Sequence, residues 1–129
     1  MTRALFVLVV ACSSPTFDGS LASTGTLGTW SFAPNSCRSG AAREFDGVDL
    51  FDGMRAVRLV LDPAKGPTVT VSNSGDPAFP SAIFGMPVCT QLVASVSHED
   101  GDTAVVDGDF TLACPGLAGH IDFSSCDKD

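Results

Sequence analysis

The chain never sustains an apolar stripe at helical spacing. Thirteen glycines and eight prolines cut its 129 residues into short segments. Within those segments apolar and polar residues alternate, the period of a strand with one buried face. Val57, Leu59 and Leu61 fall on one side of a run from Met54 to Asp62, with Arg58 on the other. Pro63–Pro67 then turns the chain into Thr68–Asn73, where Val69 and Val71 share a face. Val88–Ser97, Ala104–Cys114 and His120–Cys126 read as a meander, with turns at His98–Asp102 and Pro115–Gly119. Shorter strands are expected around Trp30 and Phe32, and between the Asp-Gly turns at Asp46-Gly47 and Asp52-Gly53. Gly40–Phe45 is long enough for one helical turn. This pattern predicts an all-β fold, a small antiparallel β-sandwich.

Five cysteines bear on the compartment: Cys12, Cys37, Cys89, Cys114 and Cys126. No Cys-x-x-Cys occurs, which removes zinc-knuckle and thioredoxin-like readings. Residues 1–12 explain why the count is odd. Arg3 precedes an uncharged run, Ala4–Ala11, much shorter than the roughly 20 residues of a membrane-spanning helix. A charged start followed by a short apolar core describes a secretory signal. Val9-Val10-Ala11-Cys12 resembles the lipobox of bacterial lipoproteins. That resemblance covers residues 1–12 alone. It implies cleavage before Cys12, a lipid on its sulfur and attachment to a membrane. Ser13 and Ser14, not aspartate, follow the cysteine, which in some lineages implies the outer membrane.

With Cys12 lipidated, Cys37, Cys89, Cys114 and Cys126 form an even set, read as two disulfides in an exported chain. Four cysteines allow three connectivities. A hairpin about Gly101-Asp102 brings Cys89 near Cys114. Matching Leu92 and Val96 with Phe110 and Val106 places those two cysteines on opposite faces, and a bulge at Gly108 would restore the parity. The favoured pairing is Cys89 with Cys114 and Cys37 with Cys126. The expected organisation is a signal peptide over 1–11, a lipidated Ser/Thr/Gly-rich tether over 12–28 with a reach on the order of 20 Å, and one domain over 29–129.

The formal charge of −8, one unit more negative once Arg3 leaves with the signal, argues against nucleic acid as a partner. The expected partners are the membrane, through the lipid, and a protein or glycan at the envelope. No cofactor is expected. Three chemical readings compete with a non-catalytic structural or binding role. His98-Glu99-Asp100-Gly101-Asp102, with Asp107 and Asp109, could gather carboxylates around a metal ion, but the spacing is not that of an EF-hand and suits a turn equally well. His98 and His120 could serve a hydrolase, yet no Gly-x-Ser-x-Gly elbow is present. A sugar site would need exposed Trp or Tyr. The chain has one tryptophan, Trp30, in an alternating strand that suggests core, and no tyrosine. Ser74–Pro87, with Phe79, Ile83, Phe84 and Met86, is expected to fold back as a lid on the core. An exposed apolar surface there would instead mark a binding loop.

Overall fold

A computed structural model describes residues 14–99 and 102–127. The proposed leader and Cys12 lie outside them, as do Asp100 and Gly101. Ten strands form two five-stranded antiparallel sheets packed face to face. Sheet A has the order β2-β1-β10-β9-β8, from β1 (Thr16–Ser23), β2 (Trp30–Phe32), β8 (Gln91–Glu99), β9 (Asp102–Cys114) and β10 (Leu117–Cys126). Sheet B runs β3-β4-β5-β6-β7 in sequence order: β3 (Ser36–Ser39), β4 (Gly47–Phe51), β5 (Ala56–Asp62), β6 (Gly66–Ser72) and β7 (Ala82–Gly85). A 3-10 turn, Gly40–Arg43, joins β3 to β4.

Strand alternation builds the core. Val48 and Leu50, Val57 and Leu59, and Val69 and Val71 point inward from sheet B, and all are fully buried. They meet Leu21, Phe32, Phe110, Leu112, Leu117 and Ile121 of sheet A. At roughly 1.5–3 kcal/mol per buried large side chain, this face-to-face burial is the main driving force for the fold.

Within the segment read as a tether, residues 16–23 form a strand. Thr16–Ser23 lies inside sheet A, between β10 and β2. Its composition misleads because only Leu21 and Ser23 are buried. Gly19, which looks like linker, sits at φ +94°, where a Cβ would stand 2.1 Å from the carbonyl oxygen of His120. Glycine there permits close strand pairing rather than disorder. The domain therefore includes residues from Thr16 onward. Two edge strands were also hidden: Cys37 lies on β3, not in a loop, and segment 74–87 contains β7.

The cysteines pair as Cys89–Cys114 and Cys37–Cys126, with Cα–Cα distances of 4.0 and 5.4 Å. The register differs from the expected one. Leu92 opposes Leu112 and Val96 opposes Gly108, with no bulge at Gly108. That glycine instead leaves room for Phe123, whose Cζ would be 2.9 Å from an added Cβ. The bulge falls on β10, between Phe123 and Cys126. Ser125 adopts φ +57°, and its amide donates to Asp107 Oδ1 at 2.7 Å. The extra residue reverses the alternation. Cys126 consequently turns inward, opposite buried Val106, where it can reach Cys37 and link the two sheets.

Candidate functional site

The last hairpin turns on Pro115-Gly116 alone, since β10 already begins at Leu117. This tight turn fixes which outward side chains meet across β9 and β10. His120 opposes Thr111, and Asp122 opposes Asp109. On the far side of β10, Asp122 also opposes Asp18 of β1. Three aspartates thus stand in one row across three adjacent strands, with His120 and Thr111 in the next row. His120 Nδ1 shares a 2.6 Å hydrogen bond with Thr111 Oγ1, and its Nε2 lies 3.1 Å from Asp122 Oδ2. Donor atoms of Asp109, His120 and Asp122 all lie within 4.8 Å of one another. The side chains of His120 and Asp122 are 42% and 51% exposed, so the cluster sits on an open sheet face.

Of the group read around the β8–β9 turn, His98 is parted from Asp107 and Asp109 by strand parity, while Asp100 and the side chains of Glu99 and Asp102 lie outside the described residues. His98 lies opposite Val106, on the inward side at the end of β8, and reaches toward Asp46 Oδ1 at 3.8 Å. Asp107 and Asp109 point the other way. Asp107 is engaged by the Ser125 amide, and Asp109 belongs with His120. The signal that identifies the His120 cluster was present in the sequence: His120 and Asp122 share a face by alternation, and Pro-Gly marks the two-residue turn that sets Asp109 opposite.

His98 lines a cleft with Ser39, Ala41, Glu44, Phe45, Asp46 and Gly47. Serine, histidine and aspartate therefore border one concavity. Ser39 is fully buried, and its Oγ caps the 3-10 turn by accepting from the Ala41 amide at 3.2 Å. Neither a Ser39–His98 hydrogen bond nor a close His98–Asp46 contact is formed, so the nucleophile–base–carboxylate chain of a hydrolase is not assembled.

Sheet B treats its charges differently. Asp49 is wholly buried on the outward side of β4. It accepts from Arg58 Nε at 2.7 Å and Nη2 at 3.0 Å, and from Arg38 Nε at 3.1 Å. Arg58 lies 4.5 Å from the Phe45 ring centroid, and Arg38 lies 5.1 Å from that of Phe51. Hydrogen bonding to Asp49 raises the Arg58 pKa above its ordinary value, against the opposing effect of burial. The aromatic at Trp30 is similarly occupied. Arg55 covers the ring at 4.4 Å, and the indole N–H donates to the Leu27 carbonyl. One ring face is thus unavailable for stacking a sugar.

Segment 74–87 splits instead of folding back as one lid. Phe84 faces inward from β7 and packs against the core. Phe79, Ile83, Met86 and Val88 remain 69%, 68%, 56% and 68% exposed. Ile83 is outward because it neighbours Phe84 on the same strand, opposite Thr70 of β6.

Comparison of the chain with protein families, curated proteins and solved structures found no match. Two disulfides in one small domain are the chemistry of an oxidising, extracytoplasmic compartment. Among the described residues no helix is long and apolar enough to cross a membrane.

Proposed function

We propose that this chain is a lipid-anchored, extracytoplasmic binding module without catalytic activity, attached through Cys12 to the outer membrane of a bacterium. Its contact surface for a protein partner at the envelope is the exposed apolar part of segment 74–88. The observation that carries this reading is the exposure of Phe79, Ile83, Met86 and Val88 beside the β7 edge. Four large apolar side chains left in water in one short segment favour a partner that covers them. The outer edge of β7 also offers backbone groups to an added strand, so an extended apolar segment fits best. The lipid reading is supported by the lipobox resemblance, and by Cys12 being left over once the other four cysteines pair. With β1 starting at Thr16, four Cα steps separate it from Cys12, about 14 Å at full extension. The domain would then stand close against the bilayer.

The test places a photo-crosslinking residue at position 83 and, as a control, at Ser95 on the outer face of sheet A. A discrete adduct from position 83, lost on Met86→Ser and missing at position 95, is expected. Identical adducts at both positions, or none at 83, would contradict the proposed surface. The anchor is tested separately: Cys12→Ser should release the protein from the membrane fraction, and a mature protein retaining residues 1–11 would refute lipidation.

A further inference from the structure

We propose that the outer face of sheet A binds one divalent transition-metal ion of the zinc class through His120 Nε2 and the carboxylates of Asp109 and Asp122. Asp18 stands beside them as the next residue in the row. The three donors come from strands in the middle of a sheet, held in register by ladder hydrogen bonds, and not from a loop. Zinc bonds to nitrogen and carboxylate oxygen of about 2.0–2.2 Å place any two ligands no more than about 4.3 Å apart. Donors already within 4.8 Å of one another need only side-chain rotation to close on an ion.

The histidine separates this site from an ordinary acidic surface. Thr111 holds its Nδ1, which fixes the ring and leaves Nε2 directed at Asp122. A hydrogen bond at the second ring nitrogen is the outer-shell arrangement that orients metal-binding histidines. Imidazole also decides the class of ion. Calcium takes six to eight oxygen ligands, which this open face does not supply, whereas mixed nitrogen and carboxylate donors suit zinc and its neighbours.

Charge supplies a separate argument. Asp18, Asp122 and Asp109 are direct cross-strand neighbours, an arrangement that is destabilising for like charges. None of the strands of sheet A carries Lys or Arg. Among the described residues, the cation available to this row by ion pairing is His120, when protonated. A divalent ion offsets the repulsion along the whole row.

The experiment is calorimetric titration of the disulfide-bonded domain, stripped with chelator, against zinc alone and then calcium alone. It is paired with NMR of the two imidazole rings. The expected result is saturable binding of one zinc ion per chain, with resonances of His120 moving and those of His98 unchanged. Thr111→Val should weaken binding about tenfold, as outer-shell changes do, and His120→Ala should weaken it further. Both positions lie at the surface, and an unchanged melting transition confirms that each variant is folded. Equal zinc affinity in wild type and His120→Ala would overturn the site, as would calcium binding equal to zinc. Non-saturating uptake without a shift at His120 would reduce the cluster to diffuse ion association and overturn it equally.

Discussion

The two sheets present opposite solutions to charge on a strand. The strands of sheet B carry Arg38 and Arg58 against Asp49 and Asp62, two charges of each sign. Asp49 is buried between two guanidinium groups that are in turn covered by aromatic rings. The strands of sheet A carry Asp18, Glu99, Asp102, Asp107, Asp109 and Asp122 and neither Lys nor Arg. One face satisfies its charges internally and spends them on structure. The other leaves a row of carboxylates in water. Asp107 is held by the Ser125 amide, but Asp18, Asp109 and Asp122 have no guanidinium or ammonium partner on their own sheet, and a row that is not neutralised within the sheet is free to take a ligand. This difference directs the search for function toward sheet A and the apolar edge of β7.

The strongest way to break the comparison is to uncouple the sheets. In the chain-entropy model, a closure spanning 89 positions contributes about 4–5 kcal/mol. Cys37→Ser with Cys126→Ser should therefore remove a large part of the roughly 5–15 kcal/mol available to a small domain. Urea unfolding should show a midpoint far below wild type. An unchanged midpoint would mean that core packing alone joins the sheets.

Next in size is Asp49→Ala, which leaves two arginines facing a vacated site. Breaking a buried ion pair costs about 3–5 kcal/mol. The guanidinium side chains are about a quarter exposed (26% and 24%), so the lower end, about 3 kcal/mol, is expected. Thermal melting measures it, and a loss below about 0.5 kcal/mol would show the arginines to be solvated independently of Asp49.

Smaller again is Asp107→Ala. It removes the acceptor for the Ser125 amide at the β10 bulge and should cost about 1.5 kcal/mol, the low end for a lost hydrogen bond to a charged group because the site is only partly buried. Amide hydrogen exchange at Ser125 and Cys126 should accelerate, while that of β5 stays unchanged. Uniform acceleration would remove the local role given to the bulge.

The least effect is expected at Asp62, in the exposed β5–β6 turn. Its carboxylate accepts from the amides of Ala64 and then Lys65, which lowers its pKa below the ordinary value. A depressed folded pKa gives stability that is present above the unfolded value of about 3.9 and is lost as pH falls through the folded one. Asp62→Asn should therefore flatten the acid limb of the stability profile below about pH 4 and leave neutral pH almost untouched. An identical acid limb in both proteins would contradict it.

The parts of this architecture that were legible in the sequence are those where alternation is strong. Val57, Leu59, Val69 and Val71 announce β5 and β6 because every second residue is apolar and buried. β1 was illegible because its outward residues are polar, and because Gly19 reads as a linker when it serves close pairing. β7 was hidden by prolines that an edge strand tolerates. The cysteine pairing was right while the parity argument behind it was not: the bulge that matters surrounds Ser125, a non-glycine at positive φ that no local pattern announces. The His120 cluster required the exact length of one turn. A five-residue loop over Pro115–Gly119 would set Asp109 opposite Ser125, whereas the two-residue turn places it opposite Asp122. His98 is separated from Asp107 and Asp109 for the complementary reason, since it shares the inward face with Val106 while those two aspartates point outward.

The most direct test of the contrast between the sheets is urea unfolding of Asp49→Asn and Asp122→Asn side by side, at neutral pH with chelator present. Both substitutions keep side-chain shape and remove one negative charge. Asp49→Asn should lower the unfolding free energy by at least about 1.5 kcal/mol, because charge-assisted hydrogen bonds are lost from a buried site. Asp122→Asn should leave it unchanged or raise it by about 0.2–1 kcal/mol, because like-charged cross-strand neighbours are relieved. If both variants lost stability equally, the carboxylates of sheet A would be structural in the same sense as Asp49, and the division of labour between the two faces would be wrong.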